Sequence, residues 1–374
     1  MLKFIVILRL ILKYIMNLDK PSDFLKDLDP GQVGDSITCL PDQIEQNLQD
    51  AEAVSIPQGY RNVNKVVLSG MGGSNLGTRM IQSVFKDSLS VPVIISAGYE
   101  VPGYVDEKTL FILSSYSGTT EETLSVYDET KKRGAKMLAV TASQEGNKLE
   151  KLMESDGLPG FAFRPLKNPS GQPRLGLGYS VFSLLAVFDK LGLLKLDKKE
   201  VFDSLEFLRQ ENRSWEPESL SENNEAKQIA EKLKNKIPVL IGAEFLEGNL
   251  HTFRNQICEN SKNFSVYFDL PDLNHFLLEG LPHPLSNSDH LKFLFIESDY
   301  YSESVRKRSE LTKQVVEKIG MEVVAYKARA ESKIGQSLEL LQLGSWVSFY
   351  LAVLNKENPS LIPWVDWFKE KLKD

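Results

Sequence analysis

Two short segments concentrate residue types suited to gripping an anion. The first, Ser69-Gly70-Met71-Gly72-Gly73-Ser74-Asn75, lies between an apolar run and an amphipathic one. Glycines such as Gly72 and Gly73 let the backbone approach a ligand closely, and a helix start behind them presents unpaired N–H groups and the positive end of its dipole. Phosphate is the natural guest. The second segment follows another apolar run and carries Ser or Thr hydroxyls at five of the seven positions 114–120. Ser115, Ser117, Thr119 and Thr120, with Ser74 of the first segment, can donate to phosphate oxygens without adding charge. An ordinary N-cap with a capping-box acid accounts for Thr119 or Thr120 with Glu122, but not for the whole cluster. Neither segment is a nucleotide motif. A dinucleotide fingerprint needs glycine where Asn75 stands, and no Gly-Lys-Ser/Thr follows for a P-loop.

The elements around these segments set their geometry. From Val66 onward short apolar runs (VVLSG, VPVIISA, TLFILSSYS, AKMLAVTA, GFAFRPL) alternate with amphipathic stretches beginning near Ser74, Thr119 and Asn147. That alternation predicts an α/β fold with a parallel sheet, both anion segments lying at carboxyl ends of strands. A long apolar helix is expected from about Tyr179 to Leu194. Residues 196–236 read as a helical connector, and a second alternation begins at IPVLIGAE, with a helix from about Leu246 to Lys262. The expected division is therefore 1–50 as an N-terminal extension and helical lead-in, 51–195 and 237–374 as two doubly wound parallel-sheet domains, and 196–236 between them. No fixed-period repeat is present.

The chain has 374 residues, 42% hydrophobic and 25% charged, which fits a globular protein with room for two cores. Forty-four basic against 51 acidic side chains leave a net charge of −7, which argues against nucleic acid as a partner. Two distant cysteines, Cys39 and Cys258, give neither a disulfide framework nor a thiolate metal cluster, so a reducing cytoplasm is expected. Residues 1–15 are apolar but broken by Lys3, Arg9 and Lys13, too short a run to span a membrane. They are expected to reflect an early start codon, with Met16 opening an ordinary soluble N-terminus.

The two anion segments together resemble the sugar isomerase (SIS) domain, whose Ser- and Thr-rich loops hold the phosphate of a phosphosugar. Further along, Gln172-Pro173-Arg174, the run from Arg254 to Lys262, Leu273-Asn274-His275 and the tail from Trp346 through Lys369 are similar to the bifunctional phosphoglucose/phosphomannose isomerases of archaea and bacteria. The resemblance covers the chain from about residue 40 to its end. It implies two SIS-type domains, a hexose 6-phosphate substrate held by Gly72, Gly73, Ser74, Ser115, Ser117, Thr119 and Thr120, a homodimer, and no cofactor, metal or membrane.

Interconverting an aldose and a ketose 6-phosphate opens the sugar ring and then moves a proton between C2 and C1 through a cis-enediolate. Glu259 is the expected base: Gln256 and Lys262 flank it at three-residue spacing on a predicted helix, and burial raises a carboxylate toward the useful range. By resemblance His275 opens the ring, since imidazole both gives and takes a proton near neutrality. The family commonly has asparagine next, where Phe276 stands here. Arg174 follows a Gly- and Pro-rich approach that aims a permanent cation at the developing enediolate. Lys369 matches a lysine that reaches the family's active site, and Ser360 stands where the family often has threonine near the sugar. His251, His283 and His290 lack metal-ligand spacing. A non-catalytic phosphosugar sensor on the same fold is the alternative. A nicotinamide-dependent oxidoreductase is disfavoured by the failed dinucleotide fingerprint.

Overall fold

The alternating apolar runs become two separate sheets in the computed structural model, which describes residues 16–372. The stretch for which an early start codon is expected lies outside the described residues. In the first half, β1 (Lys65–Ser69), β2 (Val93–Ser96), β3 (Thr109–Ser115), β4 (Lys136–Ala142) and β5 (Gly160–Phe163) form a parallel sheet in the order β2-β1-β3-β4-β5. Its central strands carry unbroken apolar runs because both faces are covered. Leu110 and Ile112 point to one face, against α1 (Leu40–Glu52), α2 (Gly73–Val84) and α6 (Leu177–Leu191). Phe111 and Leu113 point to the other, packing with Tyr127 and Leu149. Those two residues come from α4 (Tyr127–Lys132), which follows the short α3 (Glu121–Ser125), and from α5 (Lys148–Asp156).

The second half repeats this arrangement with fewer strands. β6 (Ile237–Ala243), β7 (Val266–Leu270), β8 (Leu291–Glu297) and β9 (Glu322–Lys327) pair in parallel in the order β7-β6-β8-β9, so β6 and β8 correspond to β1 and β3. The helices α9 (Glu247–Ser261), α10 (Glu303–Ile319) and α11 (Lys333–Asn355) cover it. By length and composition α11 is apolar enough to cross a membrane, but from Ile334 to Leu354 it is buried here because other elements surround it.

The segments outside the two sheets bind the halves together. From the connector, α7 (Lys198–Trp215) places Val201, Leu205 and Leu208 in the first core and Trp215 in the second. The helix after it, α8 (Glu225–Leu233), adds Ile229 and Leu233 to the second core. Asn212 of α7 accepts hydrogen bonds from Gln342 and Trp346 of α11, at 3.0 and 2.7 Å. The lead-in likewise puts Leu18, Phe24, Val33 and Ile37 in the second core and Leu40 and Ile44 in the first.

Three sequence expectations shift. The helix expected from Thr119 begins at Glu121 and breaks at Val126 into α3 and α4. The long apolar helix ends at Leu191, not Leu194. Gly192 adopts φ 70°, and the N–H of Leu193 reaches the Phe188 carbonyl at 2.9 Å, a Schellman stop. The strand GFAFRPL ends at Phe163, shortly before Pro165, which has no N–H to donate.

The relative direction of the halves decides what meets at the first sheet. Gly248, at the start of α9, lies against the second half of α2, where an added Cβ would be 2.5 Å from the Arg79 carbonyl oxygen. Its N–H reaches Ser83 Oγ at 3.3 Å. At the other end of α9, Asn260 is bonded to Arg174. So α2 and α9 run antiparallel, and the end of α9 is delivered to the carboxyl edge of the first sheet.

Candidate active site

At that edge the two anion segments form adjoining turns, tied through Ser74. Its Oγ accepts from the Tyr116 N–H at 2.9 Å, and its carbonyl accepts from Ser114 Oγ at 2.9 Å. Gly72 adopts φ 50°, a left-handed conformation that favours glycine and opens the first turn ahead of α2. In the second turn Gly118 adopts φ 65°, and a Cβ there would stand 1.7 Å from Asn147 Oδ1. The Asn147 side chain caps α5 through the Glu150 N–H and donates to Thr141 Oγ1 and the Ala142 carbonyl, which fixes the wall behind the turn.

The hydroxyl cluster is not spent on helix capping. Thr120 occupies the N-cap position of α3 without a side-chain cap bond; its Oγ1 is 2.7 Å from Ser115 Oγ instead. Thr119 Oγ1 and its N–H both turn to Ser117 Oγ, at 3.1 and 3.3 Å. The first N–H groups of α3 are thus left without a side-chain partner among the described residues, the arrangement an incoming phosphate satisfies.

The loop carrying Arg174 is fastened to these turns. Asn168 donates to Tyr116 Oη at 3.1 Å and to the Gln172 carbonyl at 2.9 Å. Gln43, fully buried on α1, donates to the Leu175 carbonyl and accepts from the Gly178 N–H. Gly73 faces the backbone of Pro173 and Arg174, 3.9 Å from where its Cβ would be. The Arg174 guanidinium is held on several sides. Nε donates to Asn260 Oδ1 at 3.0 Å, one terminal nitrogen to Gln172 Oε1 at 2.9 Å, and the other to the Pro359 and Ser360 carbonyls at 2.8 Å each.

Glu259 lies in the last turn of α9, next to Asn260. Burial pushes its carboxyl above the usual range, opposed by the positive charges of Arg174, Lys369, Lys262 and Arg254. Its carboxylate makes no hydrogen bond among the described residues. Lys369 belongs to the exposed C-terminal helix α12 (Pro363–Lys371) and bears on Glu259 through its charge.

The expected grouping of Gln256, Glu259 and Lys262 on one helix face is not what forms. Gln256 turns into the contact with α11, donating to the Leu341 carbonyl and Ser345 Oγ. Lys262 lies beyond the helix at φ 55°. Ser360 contributes its carbonyl to Arg174 while its hydroxyl donates to Asn358 Oδ1, so that hydroxyl stays within its own turn.

The turns, Arg174, Glu259 and Lys369 therefore converge, but His275 does not join them in the same chain. It follows β7 at the carboxyl edge of the second sheet, exposed, whereas Glu259 is at the opposite edge. The five residues of β7 alone separate the two edges by about 16 Å. Sequence reading assigned no individual role to Asn260 or Gln43. Asn260 sits inside the run quoted for the family, whereas Gln43 carried no signal beyond being a polar residue on an apolar helix face.

The second sheet has no matching turns. After β6 comes Glu244, whose carboxylate accepts from Ser302 Oγ at 2.7 Å and from the Ser302 N–H at the start of α10. A separate crevice of about 710 Å³, lined by Arg79, Lys86, Glu247, His251 and Asp269, opens at the far end of α2 and α9 from Glu259 and takes no part in this grouping. Among the described residues no group of three or more His, Cys, Asp or Glu is arranged to hold a metal ion.

Paired hydroxyl turns at strand ends of one parallel sheet, facing a carboxylate from a second, define a double SIS-domain protein. A SIS-domain profile matches residues 59–151, and the bacterial phospho-glucose isomerase C-terminal SIS domain matches residues 222–372. A bifunctional phosphoglucose/phosphomannose isomerase from Caldicellulosiruptor bescii is 34% identical over 91% of this chain and 98% of its own. One from Aquifex aeolicus is 32% identical over 82% of this chain and 90% of its own. The chain belongs to the bifunctional phosphoglucose/phosphomannose isomerase family. Among solved structures, a hypothetical protein from Thermus thermophilus shares the fold, with a TM-score of 0.72, 19% identity and 95% of each chain covered.

Proposed function

We propose that this chain is an aldose–ketose isomerase interconverting glucose 6-phosphate and mannose 6-phosphate with fructose 6-phosphate. In this reading Gly72, Gly73, Ser74, Ser115, Ser117, Thr119 and Thr120 bind the phosphate. Glu259 takes the proton from C2 of the open aldose and returns it to C1, while the hydroxyl proton passes from O2 to O1 through the cis-enediolate. Arg174 and Lys369 offset the negative charge that develops on the enediolate oxygens. Glucose and mannose 6-phosphates differ only at C2, so both yield one enediolate where the bond between C2 and C3 can rotate. The transfer calls for a base and cations, not a metal.

The observation that carries this reading is Glu259, a carboxylate raised by burial beside Arg174 and next to the phosphate turns. A carboxyl so raised is a stronger base than an exposed one. Ring opening falls to the partner subunit's His275, since the chain's own lies at the other sheet edge. The active unit is accordingly a cytoplasmic homodimer. Exposed Trp364, Trp367 and Phe368 on α12, beside Lys369, offer an apolar face for a second copy. The working division of labour assigns phosphate binding to residues 51–195 and proton transfer to 237–374.

The test is a two-substrate assay on chelator-treated protein: glucose 6-phosphate and mannose 6-phosphate are both expected to yield fructose 6-phosphate. Glu259→Gln should lower kcat by about 10²- to 10⁴-fold while phosphosugar binding persists. Wild type that binds the phosphosugar without turnover would instead make the protein a sensor.

A further inference from the structure

We propose, resting on the isomerase reading above, that Lys262 is a positioning residue: it pins the turn that clamps Arg174 and sets its ammonium against Glu259. Lys262 is the first residue past α9, and its left-handed φ of 55° bends the chain back at the helix end. Nζ donates to the Asn260 carbonyl at 3.0 Å and to the Asn358 carbonyl at 2.5 Å. Both acceptors adjoin groups that hold Arg174. Asn260 supplies the side-chain oxygen for Nε, and Asn358 opens the turn whose Pro359 and Ser360 carbonyls receive a terminal nitrogen. Four of the five guanidinium N–H groups are committed this way or to Gln172, leaving one for a substrate oxygen. The aim of that last N–H therefore depends on where the Asn358 turn sits. Lys262 thus ties this turn directly to the end of α9, alongside Arg174 itself.

The charge has a second effect. Lys262 is one of four cations favouring ionised Glu259, with Arg174, Lys369 and Arg254. Burial and the neighbouring Arg174 draw Lys262 itself down to about 8, against the pull of Glu357 and Glu259. Arg174 in turn faces Glu259 and Asp366. As pH rises through about 8 the ammonium loses its charge, but a neutral amine keeps two N–H donors, so the pin outlasts the charge.

The experiment compares wild type, Lys262→Met and Lys262→Arg for kcat, KM and the pH dependence of kcat/KM with fructose 6-phosphate. Lys262→Met should lose about 10- to 100-fold in kcat, the cost of a misplaced catalytic cation, with KM little changed. Its acid limb, set by Glu259, should move to higher pH because a cation has gone. Lys262→Arg should restore kcat and the acid limb, since a guanidinium keeps both the donors and the charge. Full kcat in Lys262→Met overturns the proposal. So does equal damage in both variants with the acid limb unmoved, which would mean a purely structural role. Should Lys262→Met not fold, an acid limb in Lys262→Gln that stays where wild type has it overturns the proposal. Wild type without isomerase activity would refute the isomerase reading instead.

Discussion

Mixing two inactive variants should restore activity if each site is shared between copies. Glu259 and His275 lie at opposite edges of the second sheet, separated by at least the length of β7, about 16 Å. No side-chain rotation closes that distance, so a base and a ring-opening imidazole can meet only across two chains. Take Glu259→Gln and His275→Ala, co-expressed in equal amounts under different tags. In a two-fold symmetric dimer, random pairing makes about half of the dimers hybrid. In each hybrid one site carries both lesions, while the other joins an intact Glu259 to an intact His275. One of two sites in half of the dimers amounts to about a quarter of wild-type turnover, and purified hybrids alone should reach about half. The assay is fructose 6-phosphate formation after tandem affinity purification. Turnover in purified hybrids no higher than in the two parents would refute the shared site, and with it the assignment of ring opening to His275.

Other expectations concern single elements. Thr120→Val removes the hydroxyl that faces Ser115 and, in the proposed complex, a phosphate. KM for fructose 6-phosphate should rise roughly 10- to 100-fold, the worth of a hydrogen bond to a charged group, and an unchanged KM would remove Thr120 from the phosphate site. Gly118→Ala forces a Cβ into the Asn147 side chain at a left-handed φ and sacrifices the α5 cap, so urea denaturation should show a loss of about 3 kcal/mol. A loss under about 1 kcal/mol would mean the turn yields easily. His251 is drawn down to about 4 by burial, with Arg79 and Arg254 adding to the effect. The folded protein then keeps it neutral while the unfolded chain protonates it near 6.5, so its contribution is full above 6.5 and lost as pH falls toward 4. That contribution is no more than about 3 kcal/mol, and Tm of His251→Gln should fall less steeply over this window than that of wild type. Parallel curves would rule the histidine out as a source of acid lability.

The phosphate turns were legible because their chemistry is contiguous: five hydroxyls in seven positions stand out on a line of text. The strands were legible because burial on both faces writes unbroken apolar runs. What holds Arg174 was not, because its partners Asn260, Pro359 and Ser360 are 86, 185 and 186 residues away. Lys262 shows how spacing misleads. Three residues past Glu259 suggests a shared helix face, yet the helix ends at Ser261 and the side chain reaches back by a left-handed turn. Thr120 shows the reverse, a residue that reads as a cap and is turned to a neighbouring hydroxyl. For His275 the motif and its place after a strand were visible, but that this edge lies away from the phosphate turns was not, since that depends on the antiparallel packing of α2 and α9 through Gly248.

The Glu244 contact with Ser302 bears on stoichiometry. Two sheets wound in the same order suggest two equivalent ligand chambers, but at the strand ends of the second sheet a resident carboxylate already occupies the Ser302 N–H and hydroxyl just ahead of α10. A visiting phosphate there would have to displace a tethered anion of like charge. Each polypeptide should therefore saturate at a single equivalent of hexose ester, with its second half free to specialise in supplying the base.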